Sequence, residues 1–198
     1  MGGSRLVGDD GSTAGSSAGG ATANAGAPAL GSTGDVAKAV GEPCVSRDEY
    51  RAGFPGYDLA TLNVDDHAAT CDSGICIQNK FQGRASCPYG QTAGGLDCLL
   101  PNSDLTVSTP VSPQLVARQA SVASICSCQC DGAGPGPFCT CPDSMQCEHL
   151  VDDIGATPPG AKNLSGSYCT PKGPKFDPQA DHAVCLASLQ NCGAPHPY

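Results

Sequence analysis

Residues 126–147 read CSCQCDGAGPGPFCTCPDSMQC and place six cysteines within 22 positions. Sulfurs at this density bind a metal, carry out redox chemistry or cross-link the chain. In CSCQC and FCTC the cysteines alternate with other residues, so on a β-strand they would share one face. The turn-forming stretch DGAGPGP between the two runs predicts an irregular hairpin whose arms lie side by side. Cysteines two positions apart on a strand are poorly placed to bond to each other, so we predict that no C-x-C neighbours pair.

Metal ligation is the first alternative to cross-linking. Structural zinc sites usually take two ligands from a C-x-x-C turn, and this sequence contains none. The same absence removes thioredoxin-like dithiol chemistry and covalent haem attachment at C-x-x-C-H. The C-x-C units are similar to those of metallothioneins, and His149 supplies one more candidate ligand, but metallothioneins lack large apolar residues such as Ile125 and Phe138. We therefore expect structural disulfides, with no metal and no cofactor, and keep a thiolate-bound zinc or similar ion as the alternative.

All 14 cysteines are predicted to form structural disulfides, because the even count gives no reason to expect a free thiol. They are Cys44, Cys71, Cys76, Cys87, Cys98, Cys126, Cys128, Cys130, Cys139, Cys141, Cys147, Cys169, Cys185 and Cys192. Five lie in the sub-region 44–98 and nine in 113–192, and both counts are odd. At least one bond must then join the two sub-regions, so we expect residues 44–198 to form one disulfide-rich domain.

Residues 1–43 differ in composition from the rest of the chain. They contain no cysteine and no aromatic residue, and 28 of the 43 positions are Gly, Ala, Ser or Thr. Such a segment buries too little apolar surface to offset the entropy of ordering it, so a flexible linker is predicted. The whole sequence has no Trp, four Phe and five Tyr, which limits the size of any apolar core. Cross-links are thus expected to replace a conventional core.

Local patterns predict short strands and turns in the cysteine-rich domain. GICIQNKF alternates apolar and polar residues around Ile75 and Ile77 and predicts a strand. Weaker strand character occurs at Leu105 and Val107. Ser112, which is followed by proline, is a candidate N-cap for a first helix.

A second helix, at 178–192, is the most clearly marked regular element. Asp-Pro opens it, Gly-Ala-Pro follows it, and four residues lie along one stripe at helical spacing. These residues are Cys185, Leu186, Leu189 and Cys192. Both cysteines would then face the domain and tie the helix to it. The predicted fold class is small and disulfide-rich, with short β-strands, hairpins and turns, a C-terminal helix and a disordered N-terminal linker.

Charge and cysteine content limit the location and the partners. The net charge is −9, with only ten Lys and Arg and no basic run, which argues against nucleic acid and anionic membrane surfaces. Many disulfides require an oxidising compartment, yet the first residues contain neither the apolar core of a signal peptide nor a membrane span. We therefore expect an exported protein whose signal has been removed, located outside the cell or on the outer-membrane surface. An N-terminal lipid anchor would be its membrane attachment.

Two resemblances to known proteins bear on this expectation. CTCPDSMQC at 139–147 is similar to the C-x-C-P-x-G-x-x-C ending of epidermal-growth-factor-like (EGF-like) modules, with Ser144 at the glycine position and a shorter final spacing. A wider set of motifs resembles the cysteine-rich predicted lipoproteins of the myxobacterial type. The motifs are GEPC at 41–44, GICIQNKFQGRASCPYGQ at 74–91, CSCQCDG at 126–132, GPFCTCPDSMQC at 136–147, LVDDIG at 150–155 and GSYC at 166–169. This resemblance implies an exported, envelope-anchored protein and carries no catalytic residues.

Two acidic groups are the remaining candidates for other chemistry. They are Asp65, Asp66 and His67 in one group, and Glu148, His149, Asp152 and Asp153 in the other. Oxygen ligands for calcium are offered by the first group and by Asp152 and Asp153. A hydrolytic site would use the first group, or Glu148, His149 and Asp152. None of these sets matches an established motif, and solvated surface is the simpler interpretation. We therefore predict no catalytic residue.

These observations together predict an exported, envelope-anchored, disulfide-stapled structural or binding module without catalytic activity. Its partner would be an extracellular protein or a glycan, because loops fixed by cross-links lose little conformational entropy on binding. Two alternatives stay open: a thiolate metal-binding protein, and an extracellular hydrolase with an unrecognised site.

Overall fold

The computed structural model describes residues 37–92, 98–133, 136–153 and 163–192. The predicted linker lies outside these ranges except for its end, 37–43. Those last residues pair with the domain. The Gly41 amide donates to the Cys126 carbonyl at 2.8 Å, and the Cys126 amide donates to the Glu42 carbonyl at 2.8 Å. Residues before Cys44, the boundary that composition indicates, therefore belong to the domain, because backbone hydrogen bonds attach them to it.

The first sheet is antiparallel and contains three short strands in the order β1-β2-β3. Their bounds are Leu62–Asp65 for β1, Ile75–Asn79 for β2 and Ser124–Ser127 for β3, and a 3-10 helix at Arg47–Tyr50 precedes them. The predicted strand around Ile75 is confirmed. Ile77 lies between Val64 and Ile125 in the register. Three β-branched side chains thus meet on one face of the sheet, which is a favourable cross-strand arrangement.

The second sheet is also antiparallel, with the order β4-β6-β5. The bounds are Gln129–Asp131 for β4, Met145–Val151 for β5 and Gly166–Pro171 for β6. Cys128 alone separates β3 from β4, so CSCQC passes from the first sheet to the second. The expectation that CSCQC forms one strand with its sulfurs on one face is therefore wrong. The strand is interrupted because the pairing partner changes from β2 to β6.

The predicted helix at 178–192 is wrong. Cys185 and Cys192 bond to each other with their Cα atoms 5.6 Å apart. Seven positions along a helix span about 10 Å, so the chain must instead reverse its direction between the two cysteines. Gln190 enters the left-handed region with φ 47° to make this reversal. The Asn191 side chain accepts a hydrogen bond from the Leu186 amide at 2.8 Å and closes the loop.

The predicted helix beginning at Ser112 is also wrong, and only a single helical turn, α1 (Ala120–Ala123), follows this region. Gln114 explains the difference. Its buried side chain donates to the Arg84 carbonyl at 2.7 Å and accepts from the Ala120 amide at 3.0 Å, which holds the chain away from helical geometry. Near Leu105, where a strand was expected, the structure has one isolated β-bridge, between Leu99 and Thr106. In the described ranges, no helix has the length and apolar character needed to cross a bilayer.

The apolar core of the described residues is divided into small clusters. The largest joins the two sheets through Ile77 and Ile125 of the first and Met145 and Tyr168 of the second. Three of the four clusters include cysteines, so disulfide sulfur supplies part of the buried apolar surface. The structure is therefore a small strand-rich domain in which cross-links accompany a thin core.

Candidate functional site

The 14 cysteines all lie in the described part of the chain and form seven disulfides. The pairs are Cys44–Cys76, Cys71–Cys126, Cys87–Cys98, Cys128–Cys139, Cys130–Cys147, Cys141–Cys169 and Cys185–Cys192. No C-x-C neighbours bond to each other, as predicted from strand geometry. Among the seven, Cys71–Cys126 alone joins the two sub-regions, which the odd cysteine counts require.

The dense cysteine run is organised around Cys169 of β6. The Cys169 sulfur lies 3.8 Å from the Cys128 sulfur and 3.7 Å from the Cys139 sulfur, so two disulfides pack against each other. The Cys139 amide donates to the Gln129 carbonyl at 3.0 Å. The two arms of the run therefore lie side by side as predicted, but their contact is this bond and a disulfide, while the sheet partner of β4 is β6.

This sulfur cluster also has the spacing of a metal site. The sulfurs of Cys128, Cys139 and Cys169 all lie within 4.8 Å of one another. Each of these sulfurs is bonded to another sulfur here, whereas a metal requires the thiolate form. In its oxidised form the cluster links the segment 139–141 to Cys128 and to β6, and only its reduced form offers thiolate ligands.

The first acidic group is brought together, but its central carboxylate has a structural role. The buried Asp65 carboxylate accepts from the Arg47 amide at 2.7 Å, from the Arg47 Nε at 3.0 Å and from the His67 amide at 3.1 Å. Asp66 and His67 form a 2.6 Å contact nearer the surface. The arrangement fixes the turn after β1 and presents one imidazole to solvent.

The side chains of the second acidic group do not lie together, because strand β5 separates them. Glu148 and His149 are consecutive in β5, so their side chains point to opposite faces. Glu148 accepts from the Thr170 hydroxyl at 2.7 Å, while His149 contacts Asp152 at 3.0 Å on the exposed surface. The Glu148 and His149 side chains therefore do not converge on one site.

A cleft that sequence reasoning missed lies between the 3-10 helix and β1. It has a volume of about 260 Å³ and opens to solvent. Its lining residues are Arg47, Asp48, Arg51, Asn63, Val64 and Asp65. The signal in the sequence is RDEYR at 47–51, two arginines around an acidic pair. That pattern is typical of an exposed turn, and only the folded chain places β1 beside it.

Each polar group of the cleft is oriented by a neighbour. Arg51 Nη2 lies 2.8 Å from the Asp48 carboxylate, and the Arg51 guanidinium lies 5.7 Å from the Phe54 ring centroid. The Asn63 amide nitrogen donates to the Gln78 side chain at 2.6 Å. The cleft therefore contains charged and amide groups whose directions are set before any ligand arrives.

A buried ion pair involves Glu49 of the same 3-10 helix and was also missed. The Glu49 carboxylate accepts from the Ala85 amide at 2.7 Å, the Ser86 amide at 3.0 Å and the Ser86 hydroxyl at 2.7 Å. Arg84 donates to the carbonyls of Glu49 and Phe54, and its Nε lies 3.9 Å from the Glu49 carboxylate. The pair ties the 3-10 helix to the turn at 84–86.

Burial controls the ionisation of this pair. Burial raises the pKa of Glu49 above 4.5, against the lowering effect of the hydrogen bonds from Ser86 and Ala85 and of the Arg84 charge. Burial likewise lowers the pKa of the Arg84 guanidinium, while the Glu49 charge raises it. With both side chains enclosed by protein, the pair supports the wall of the cleft and does not contact solvent.

Comparison of this chain with protein-family models, with curated proteins and with solved structures finds no match.

Proposed function

We propose that this chain is an exported, envelope-anchored binding module without catalytic activity. The observation that carries the proposal is the pairing of all 14 cysteines in a domain with small apolar clusters. Structural disulfides in this number persist in oxidising compartments, which supports export. The anchor is proposed from the resemblance to cysteine-rich lipoproteins, whose processed form carries a lipid before a Gly- and Ser-rich linker.

Binding is proposed because cross-links fix surface loops that present apolar side chains. The loop between Cys185 and Cys192 exposes Leu186 and Leu189, which are 44% and 65% accessible. The Tyr89 hydroxyl donates to the Cys192 carbonyl and attaches this loop to the domain. A loop held in one conformation loses little entropy when a partner binds, so the same contacts give higher affinity.

The absence of catalysis is proposed from the roles of the acidic residues. Asp65 is enclosed by hydrogen bonds from Arg47, and Glu148 accepts a bond from Thr170. A general acid or base needs a free lone pair or proton within reach of a substrate. These carboxylates serve neighbouring backbone and side-chain donors.

Alkylation of the protein from its natural source tests the export and disulfide parts together. Under denaturing, non-reducing conditions we expect no cysteine to react, because every sulfur is bonded. Labelling of intact cells with an impermeant amine reagent should modify the exposed Lys172 and Lys175. Mass spectrometry of the N-terminal peptide should find acyl chains. Reactive thiols throughout the chain, or lysines protected until the cells are lysed, would contradict the proposal.

A thiolate metal-binding protein is the second candidate, favoured by the convergence of Cys128, Cys139 and Cys169 within 4.8 Å. The metal-binding function predicts a different outcome of the alkylation experiment. Many cysteines would react after chelation, and metal analysis of the untreated protein would find zinc or a similar ion. The two functions therefore differ in the count of alkylated cysteines with and without a chelator.

A further inference from the structure

We propose that the cleft between the 3-10 helix and β1 binds one uncharged sugar unit of a glycan. The inference rests on the proposed export, because glycans are the abundant polyhydroxylated ligands outside the cell. It names a ligand class for one surface of the domain, separate from the cysteine cluster and from the Cys185–Cys192 loop.

The donors of the cleft are oriented in advance. The Arg47 Nε is held at 3.0 Å by Asp65, whose side chain is 4% exposed. Arg51 is held by Asp48 through Nη2 at 2.8 Å. The two arginine side chains remain 63% and 68% exposed. Within the described residues, the Nη atoms of Arg47 and the Nε and Nη1 of Arg51 make no protein hydrogen bond, so they face solvent as donors.

Hydrogen-bond acceptor atoms of the cleft lie beside these donors. The amide nitrogen of Asn63 is used by Gln78 at 2.6 Å and by the Tyr57 hydroxyl at 3.4 Å, which leaves its Oδ1 as an acceptor. The second carboxylate oxygen of Asp48 has no protein donor in the described part of the chain. A sugar hydroxyl both donates and accepts, so adjacent hydroxyls match a surface on which donors and acceptors alternate. The ligand meets these groups without any need for them to reorient.

The charge balance favours an uncharged ligand. Two arginines and two aspartates line the cleft, so its formal charge is zero. An anion would approach the Asp48 carboxylate, and a cation would approach both guanidinium groups. The net charge of −9 over the whole chain further disfavours anions. A neutral polyol meets none of these repulsions.

The size of the cleft limits the ligand to a small unit. A volume of about 260 Å³ is just below the usual range for small-molecule pockets. The open side lets the rest of a glycan extend into solvent. Because so small a ligand makes few contacts, we expect a dissociation constant in the millimolar range for a single sugar.

Nuclear magnetic resonance titration of the full oxidised chain tests the proposal. The probes are the methyl glycosides of glucose, galactose, mannose and N-acetylglucosamine, added into the tens of millimolar range. At least one should give saturable shifts of the backbone amides of Asp48, Arg51 and Asn63. Arg51→Ala and Asp48→Asn should each weaken that binding at least fivefold. The matched changes Lys175→Ala and Asp143→Asn, at charged surface residues outside the cleft, should leave it unchanged.

Three outcomes would overturn the proposal. The first is no saturable shift with any of the four glycosides. The second is binding of glucuronate or of an uncharged capped tripeptide in place of the neutral sugars, which would make the cleft an anion or peptide site. The third is sugar binding that survives both cleft substitutions. None of these outcomes changes the count of reactive thiols or the labelling of intact cells, so failure here is distinct from failure of the proposed export. Unchanged amide spectra outside the cleft show that each variant is folded.

Discussion

Both sheets of this domain are cross-linked by disulfides, but the first also depends on buried polar side chains. Around the second sheet, three disulfides and a packed group of sulfurs hold short strands together. Around the first sheet, two disulfides are accompanied by buried polar side chains that complete the hydrogen bonds of turns and loops, and Glu49, Arg84 and Gln114 are among the largest fully buried residues. Covalent bonds in the second region tolerate the loss of a neighbouring side chain. In the first region, removal of one polar group leaves its buried partners unsatisfied.

Gln91 shows the same use of a buried polar side chain in the loops at 98–111. Its amide nitrogen donates to the carbonyls of Val107 at 2.8 Å and Thr109 at 2.7 Å, and its carbonyl accepts from the Cys98 amide at 3.2 Å. One side chain thereby satisfies three backbone groups of irregular loops. A chain with few large apolar residues can organise loops in this way, although each such site then depends on one residue.

The largest effect is expected from the bond that joins the sub-regions 44–98 and 113–192. Replacing Cys71 and Cys126 together by Ser opens a connection with a sequence separation of 55 residues and should lower the free energy of unfolding by about 4 kcal/mol. Replacing Cys185 and Cys192 together opens a separation of 7 and should cost about 2 kcal/mol. Denaturant unfolding under non-reducing conditions measures both. Equal losses would mean that loop closure does not determine the contribution of these bonds.

A glutamate substitution in each region tests the contrast directly. Glu49→Ala leaves three donors and the Arg84 charge buried without their acceptor, and we expect a loss of about 3 kcal/mol. Glu148→Ala removes one bond to Thr170 at a partly exposed site and should cost about 1 kcal/mol or less. Similar losses for the two variants in denaturant unfolding would show that the two regions do not differ in this respect.

A substitution at Gly166 tests how closely the backbones of β6 and β4 approach each other in the second sheet. Its φ is +133°, and a Cβ at this position would lie 2.2 Å from the Asp131 carbonyl oxygen of β4. Gly166→Ala should therefore lower stability by about 2 kcal/mol or more. Gly74→Ala is the matched control, since its φ is +71° with no atom within 4 Å of a new Cβ, and should cost about 1 kcal/mol. Thermal unfolding of the two variants gives the comparison, and equal shifts would rule out the close approach.

The smallest effect appears only at alkaline pH. Burial raises the pKa of Tyr168 to about 12, with a further contribution from the Asp66 charge, and burial also raises the pKa of Tyr57 above 10. Since the folded values lie above the unfolded ones, the stabilisation is complete below pH 10 and falls as the pH rises through the folded values.

Phenolate absorbance checks this pH dependence in each region separately. Tyr57→Phe in the first region and Tyr168→Phe in the second should each remove one late-titrating step. Neither step should be present in the spectrum of the unfolded protein. A variant that titrates like the unmodified chain would show that its tyrosine is not protected by the fold.

The sequence predicted features that follow from spacing and counting. The prediction that C-x-C neighbours do not bond held although CSCQC is not one strand, the odd counts required a bond such as Cys71–Cys126, and alternation located β2 around Ile75. These arguments succeed because they depend on local geometry or on arithmetic. The thin apolar core likewise followed from composition.

The features that the sequence did not predict depend on distant partners. The stripe from Cys185 to Cys192 has helical spacing, but the bond between its two ends excludes a helix. Charged side chains such as those of Glu49 and Arg84 are usually exposed. Their burial is possible because these residues, 35 positions apart in the sequence, contact each other in the fold. The cleft has the same origin, because β1 and the 3-10 helix become neighbours through tertiary pairing.

The Cys185–Cys192 bond has a consequence for how this chain can diversify. It closes its loop without any of the other twelve cysteines, whose six bonds lie elsewhere. Residues 186–189 can therefore be replaced without re-pairing the rest of the framework, while Gln190 and Asn191 keep the chain reversal. Homologous chains should accumulate substitutions in this loop faster than between the other cysteines, and foreign recognition sequences inserted there should leave the domain folded.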